Sequence, residues 1–225
     1  MAKEKASQTR TSIDELNENL SSIEQKVENN KKIIIYAAAA IVIIAAIIFG
    51  YKYLYQQPRT ESARTEVCQA DMSLAMGQDS VALVQYKAVA DKYGNESGER
   101  AALQAGILLY QNGKYEEAIT YIKKYSFEGT IVGPAAQSLL GDCYVNLDKL
   151  SDALSAYDKA VKLSGDNELY TPLFMTKKAV VYRAQKEFAK EAEIYQTIKD
   201  KYPTFGANYN IDVDEYLARA KNEAK

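Results

Sequence analysis

The stretch GKYEEAI, Gly113–Ile119, returns twice further along the chain in altered form. It reappears as DKLSDAL at Asp148–Leu154 and as KEFAKEA at Lys186–Ala192. In the first copy, Gly113 suits the left-handed conformation of a tight turn between two helices. Recurrence at intervals of about 35 residues indicates a repeat in which one helical hairpin is built several times and stacked on its neighbours.

The residues around these copies fit the tetratricopeptide pattern, which places a Gly, a small Ala and an aromatic ring at fixed spacing in two helices. In the unit that contains DKLSDAL, Gly141 takes the Gly site and Tyr157 the aromatic site. The small site recurs, in chain order, at Ala82, Ala118, Ala153 and Glu191. Glu191 breaks the pattern, and Ala192 beside it leaves open a shift of the last copy by one residue.

The pattern predicts an all-α chain in three parts. Residues 1–30 form an amphipathic N-terminal helix, residues 31–55 a single transmembrane anchor, and residues 56–225 an α-solenoid of about four tetratricopeptide-like hairpins. The hairpins fall roughly at 60–94, 99–130, 134–166 and 171–204. A capping helix over 208–225 covers the last hairpin with Ile211, Tyr216 and Leu217.

The anchor is an uncharged run of 18 residues from Ile33 to Gly50, enough to cross about 27 Å as a helix. Its membrane-facing residues include Ile33, Ile41, Ile44, Ile48 and Phe49. A cleaved signal peptide or a buried core helix is the alternative, but signal peptides begin nearer the N-terminus. Positive charges within 15 residues are equal on the two sides, so only the adjacent Lys31 and Lys32 favour an N-terminus in the cytoplasm.

The segment before the anchor carries an apolar stripe at heptad spacing, formed by Ile13, Leu16, Leu20, Ile23 and Val27. Ser12 and Glu15 form a capping box at its start. The stripe could pair with a second copy, dock on a partner or lie on the membrane surface. The acidic polar face disfavours anionic lipid, so we expect docking or self-pairing.

Composition excludes several functions. The chain has 225 residues, no His and a net charge of −2, so it lacks the commonest general base and the basic surface of a nucleic-acid-binding protein. No phosphate-binding loop, nucleophile motif or metal-ligand spacing is present, and we expect neither enzymatic activity nor a cofactor. The two cysteines, Cys68 and Cys143, are predicted to be buried in helices.

A repeat stack of this kind binds along the concave surface lined by the first helix of each hairpin. The repeat frame predicts that nine residues face this groove: Leu103, Ile107, Tyr110, Ser138, Asp142, Val145, Thr176, Val180 and Arg183. They mix apolar groups with isolated charges, which favours apolar or extended protein segments as ligands. Some of them could instead be covered by the neighbouring repeat.

Three stretches carry a resemblance to a known family: GILLYQNGKYEEAITYIKKY (106–125), GPAAQSLLGDCYVNLDKLSDALSAYDKA (133–160) and YTPLFMTKKAVVY (170–182). With the anchor, they resemble the YfgM family, an ancillary subunit of the bacterial Sec translocon, in the form found in Bacteroidota. The resemblance covers roughly residues 30–220. It implies an inner-membrane protein with periplasmic repeats, no catalytic residues, and as partners Sec channel subunits, a membrane-anchored periplasmic chaperone and translocating chains.

Other functions stay open on sequence grounds. The repeats could belong to another envelope complex, such as outer-membrane protein assembly, although such scaffolds are usually lipid-anchored through an N-terminal Cys and none precedes Cys68. An adaptor facing the cytosol from an organelle would need the opposite topology. An enzyme would need a buried cluster of perturbed carboxylates in the groove.

Overall fold

The computed structural model describes residues 27–209 and 211–225, which fall into two compact units divided between Pro58 and Arg59. Every regular element in these ranges is helical, which confirms the predicted all-α fold class. Four residues of the predicted N-terminal partner helix lie outside the described residues: Ile13, Leu16, Leu20 and Ile23. Val27 is described; it is exposed, and residues 27–29 are helical.

The first unit contains α1 (Lys31–Gly50) and a π-helix (Tyr51–Gln56). An 18-residue window here has a mean hydropathy of 2.9 with no residue buried, so the helix is long and apolar enough to cross a membrane. The five predicted anchor side chains, Ile33, Ile41, Ile44, Ile48 and Phe49, are all exposed. Stacked rings follow, Phe49 on Tyr53 at 4.6 Å between centroids and Tyr51 on Tyr55 at 5.4 Å, a composition typical of the membrane–water boundary.

The second unit is a succession of helical hairpins. Their helices are α2 (Gln57–Ala75) and α3 (Asp79–Lys92), α4 (Glu96–Gln111) and α5 (Tyr115–Ile122), α6 (Val132–Asn146) and α7 (Leu150–Ser164), and α8 (Tyr170–Ala184) and α9 (Phe188–Lys201). One buried cluster runs from Ala63 to Ala156 through the first three hairpins, and a second joins the last hairpin to the C-terminal residues. Burial is therefore shared between neighbouring hairpins, as in other solenoids.

The turn inside each hairpin has the same backbone geometry. Its left-handed residue is Gly77, Gly113, Asp148 and Lys186 in chain order, with φ between 56° and 72°. In the second hairpin the Gly113 N–H donates to Tyr110 O and the Lys114 N–H to Leu109 O, and the other three turns repeat both bonds. This is the Schellman motif, which satisfies carbonyls left unpaired at the end of a helix. The turn is thus retained even where glycine has been replaced.

The two helices of a hairpin approach closely because one of them carries a very small residue at the crossing. A Cβ atom added to Gly141 would lie 2.5 Å from Tyr157 Cε1, well inside van der Waals contact. The predicted small sites Ala82, Ala118 and Ala153 are fully buried. The ring of Tyr157 consequently fills the space that Gly141 leaves open.

Several buried tyrosines bind a carboxylate that also binds a cation. Tyr86 Oη donates to Asp71 Oδ1 over 2.5 Å, while Arg100 of the next hairpin donates to Asp71 Oδ2 over 2.7 Å. Similar sets are formed by Tyr93, Glu66 and Lys92, by Tyr121, Asp91 and Lys124, and by Tyr157, Asp142 and Lys177. Each ring packs in the core while its hydroxyl keeps a strong acceptor.

After the last hairpin the chain forms α10 (Phe205–Tyr209) and α11 (Val213–Glu223). The short α10, which the sequence does not predict, buries Phe205 completely. Asp212 caps α11 by accepting a hydrogen bond from the Glu215 N–H. Tyr216 of α11 stacks on Tyr195 of α9 at 5.3 Å, and Leu217 is buried in the same cluster.

The two cysteines differ in exposure. Cys143 is fully buried in α6, as predicted, whereas Cys68 is exposed on α2 and the prediction for it is wrong. The reason is its helical position, since Val67 and Ala70 of α2 point into the core while Cys68 does not. Both are free thiols, so they form no disulfide.

We predict that Lys186→Gly stabilises the protein. A non-glycine residue at φ 60° is strained by about 1 kcal/mol, and glycine removes that strain. Part of the gain is offset by the greater freedom of glycine in the unfolded chain, so the expected rise in melting temperature is about 2–4 °C, measured by circular dichroism on the full-length chain in detergent. The matched control is Gln185→Gly at φ −81°, which should give no rise. Melting of Lys186→Gly below the wild type would contradict the strain.

We also predict that one thiol per chain reacts rapidly with a disulfide reagent at pH 8. Cys68 is exposed, whereas burial and the neighbouring Asp142 charge raise the pKa of Cys143 to about 12, leaving no thiolate to react. The second thiol should appear only in denaturant. The Cys68→Ser chain should show no rapid reaction, and rapid labelling of that variant would contradict the burial of Cys143.

Candidate protein-binding groove

The nine residues predicted to face the groove lie on α4, α6 and α8, the first helices of three successive hairpins. Four of them line one cavity of about 280 Å³, which we call the central pocket: Tyr110, Asp142, Val145 and Val180. Six further residues complete its wall: Asn146, Leu150, Tyr157, Lys177, Val181 and Ala184. The central pocket therefore lies where the second, third and fourth hairpins meet.

A hydrogen-bonded chain of three side chains forms one side of the central pocket. Tyr157 Oη donates to Asp142 Oδ1 over 2.7 Å, and Lys177 Nζ donates to Asp142 Oδ2 over 2.5 Å. Burial and the Asp142 charge together raise the pKa of Tyr157, so its hydroxyl remains a donor at neutral pH. Burial and the same charge also raise the pKa of Tyr110. Both oxygens of Asp142 therefore accept a hydrogen bond, and its negative charge is balanced by the ammonium group of Lys177.

The rest of the wall is aliphatic. Val145 and Val180 are 37% and 55% exposed, so solvent reaches apolar side chains in the central pocket. Leu150, Val181 and Ala184 line it as well. A partly exposed apolar surface beside fixed polar groups is the usual composition of a binding site.

The other predicted groove residues lie outside the central pocket. Leu103 is almost fully buried and contributes to a separate cavity of about 650 Å³. Ile107 is partly buried, and Thr176 donates its hydroxyl to Pro172 O over 3.0 Å. Ser138 is buried, and its hydroxyl has no hydrogen-bond partner among the described residues. Leu103 and Ser138 are therefore buried by packing between hairpins and are not positioned to contact a ligand in the central pocket.

Arg183 pairs with the residue that breaks the repeat pattern. Glu191 takes the small site of the last hairpin and is 1% exposed, and Arg183 donates to it through Nε over 2.8 Å. Arg183 also donates through Nη1 to Glu223 of α11 over 2.9 Å. The left-handed residue Lys186 precedes Glu191 by five residues, as in every other hairpin, so the last copy is not shifted onto Ala192.

Sequence reasoning missed Lys177 and Ala184 of the central pocket. Their signal was present, because Lys177, Val180 and Ala184 follow helical spacing on one face of α8. The repeat frame selects Thr176 for that face, one residue away from Lys177. Leu150 and Tyr157 were missed because they lie on α7, the second helix of the hairpin, which the frame does not assign to the groove.

The described residues hold no group of three or more His, Cys, Asp or Glu side chains placed to bind a metal ion. Burial raises the pKa of Tyr86, Tyr121 and Tyr157, which keeps these three hydroxyls protonated and unsuited to act as bases near neutral pH. The chemistry that this arrangement supports is the reversible binding of a chain or side chain.

Comparison with known proteins agrees with this geometry. Residues 103–168 and 139–204 match the tetratricopeptide repeat family, whose members typically bind proteins. No curated protein sequence matches the chain.

Solved structures with the same fold include a MamA protein, at 21% identity and a TM-score of 0.56, covering 73% of this chain and 88% of that one. Another is MamA residues 41-end from Desulfovibrio magneticus RS-1, at 15% identity and a TM-score of 0.52, covering 63% of this chain and 76% of that one. The C-terminal part of a repeat-containing protein from Cytophaga hutchinsonii has 23% identity and a TM-score of 0.58, and the match covers 72% of this chain and 65% of that one. At these identities the likeness concerns the fold alone.

We predict that Arg183→Ala lowers the melting temperature by roughly 6–12 °C, because it leaves Glu191 buried without a cation, at a cost of about 3 kcal/mol. Glu191→Ala restores the small residue of the other hairpins and leaves Arg183 paired with Glu223, so its effect should be within about 1 kcal/mol. The double variant should melt close to Glu191→Ala. Equal losses for both single variants would contradict the pairing.

Proposed function

We propose that this protein is a non-enzymatic, membrane-anchored scaffold that binds protein chains through the concave face of its repeats, in association with the Sec protein translocon. The observation that carries the proposal is the central pocket, an apolar site on the face formed by the first helices of successive hairpins. Its lining is suited to segments of unfolded chain, which carry exposed apolar side chains.

The anchor determines where such a scaffold could work. In this proposal the long apolar helix anchors the chain in a membrane. Anchoring would raise the local concentration of the binding site for chains that emerge there. The resemblance to the YfgM family supports the bacterial inner membrane, with the N-terminus in the cytoplasm and the repeats in the periplasm. In this arrangement the stripe from Ile13 to Val27 contacts a partner on the cytoplasmic side.

The partners of this proposal are Sec channel subunits, a membrane-anchored periplasmic chaperone and translocating chains. To test it, the tagged full-length chain would be purified from native membranes in mild detergent, with a chain lacking residues 1–30 as the matched control. We expect near-stoichiometric Sec channel subunits with the full-length chain, and fewer with the control. Outer-membrane assembly factors in their place would support the other envelope complex, and absence of the channel would overturn the translocon assignment.

The proposed topology predicts that Cys68 is labelled by a membrane-impermeant maleimide in intact cells with a permeabilised outer membrane. Cys68 is exposed and Cys143 is buried, so the native chain offers one accessible thiol on the repeat side. The control is Ser7→Cys combined with Cys68→Ser, which should be labelled only after the inner membrane is opened. Labelling of Ser7→Cys in intact cells would reverse the topology.

A further inference from the structure

We infer that the central pocket receives one bulky aliphatic side chain, of the size of leucine, from an extended segment of a bound protein. This inference rests on the proposed function and specifies its ligand. It follows from the volume of the cavity, the exposure of its aliphatic wall and the state of its charged groups.

The volume admits one bulky side chain together with part of its backbone. The cavity measures about 280 Å³, just below the range of roughly 300–1,000 Å³ that small-molecule and cofactor sites occupy. At about 30 Å³ each, it would hold roughly nine water molecules. A side chain of four or five heavy atoms, each about the size of one water molecule, displaces roughly half of this water, and the remaining space admits the adjoining peptide backbone along the groove.

The side chains that line the central pocket favour an aliphatic ligand group. Val145 and Val180 are exposed, and Leu150 and Val181 lie beside them. These side chains offer no hydrogen bond, so water that contacts them is readily displaced by an apolar ligand. Because they come from α6, α7 and α8, they form a continuous apolar surface between two hairpins.

The charged groups disfavour an ionic occupant. Asp142 already accepts hydrogen bonds from Tyr157 and Lys177, so a basic side chain would find its carboxylate engaged and Lys177 repelling it. An acidic side chain would have to lose its hydration beside Asp142. What stays free is donor capacity, since the ammonium of Lys177 has three N–H groups and makes one hydrogen bond among the described residues. A backbone carbonyl of an extended segment is the matching acceptor.

The test uses the full-length chain in lipid nanodiscs, so that detergent does not compete for the cavity. The probe is a Gly/Ser nonapeptide with photo-leucine at its centre, whose crosslinks are located by mass spectrometry. We expect adducts on central-pocket residues, competed by the same peptide with Leu but at least tenfold more weakly by peptides with Ala, Lys or Asp at that position.

Two matched variants separate the pocket from the rest of the groove. Ala184→Phe fills the cavity from an exposed position, and Ala189→Phe adds the same ring at an exposed position of α9 outside it. Crosslinking should fall at least fivefold in Ala184→Phe and stay within twofold of the wild type in Ala189→Phe, with both variants melting as the wild type does. Equal competition by the Leu and Ala peptides, or undiminished crosslinking in Ala184→Phe, would overturn the inference.

Two further outcomes keep the ligand and the function distinguishable. If Ala184→Phe instead dissociates an oligomer of the wild-type chain, the occupant is a second copy and the inference is wrong. If the leucine preference is observed but Sec subunits do not co-purify from membranes, the pocket assignment holds and the translocon proposal fails.

Discussion

The stack depends on the close crossing of the two helices within each hairpin. Five residues after each left-handed turn residue, the second helix presents Ala82, Ala118 or Ala153 to the first helix, and none of these alanines is exposed. A hairpin alone cannot bury its apolar faces and must stack on its neighbours. The close crossing brings its two helices near enough for their aromatic side chains to pack in that shared core. The fourth hairpin meets the same constraint differently, with a buried glutamate and an arginine in place of a methyl group.

The buried tyrosines pack their rings in the core while their hydroxyls keep hydrogen-bond partners. The chain has 18 tyrosines and no tryptophan, and Tyr86 and Tyr157 each bind a carboxylate of their own hairpin, where a purely aliphatic side chain would make no polar contact. Each hydroxyl binds a carboxylate that a lysine or arginine also binds. A buried polar group is costly mainly when it is unpaired, so these sets satisfy the tyrosine hydroxyls, and three of the four also join neighbouring hairpins.

The repeats and the long apolar helix could be predicted because each corresponds to a periodic or continuous pattern along the chain. Gly141 against Tyr157, and alanine at the crossings, follow from such spacing. The pairing of Glu191 with Arg183, and of Asp142 with Lys177, could not be predicted in this way, because each joins residues of different helices through side-chain geometry. Cys68 and Phe205 were missed for a related reason: burial at the ends of a stack depends on which neighbour is present, and spacing alone does not specify it.

The identical Schellman turns have a consequence for how the groove can vary. Since the same backbone geometry is reached with Gly113, Asp148 and Lys186, the insertion or loss of one hairpin would leave the turns of its neighbours unchanged. The reach of the groove would therefore change in steps of one hairpin, about 35 residues of chain, rather than by gradual extension of a loop. The length of the protein segment that the groove can bind would change in the same whole-hairpin steps.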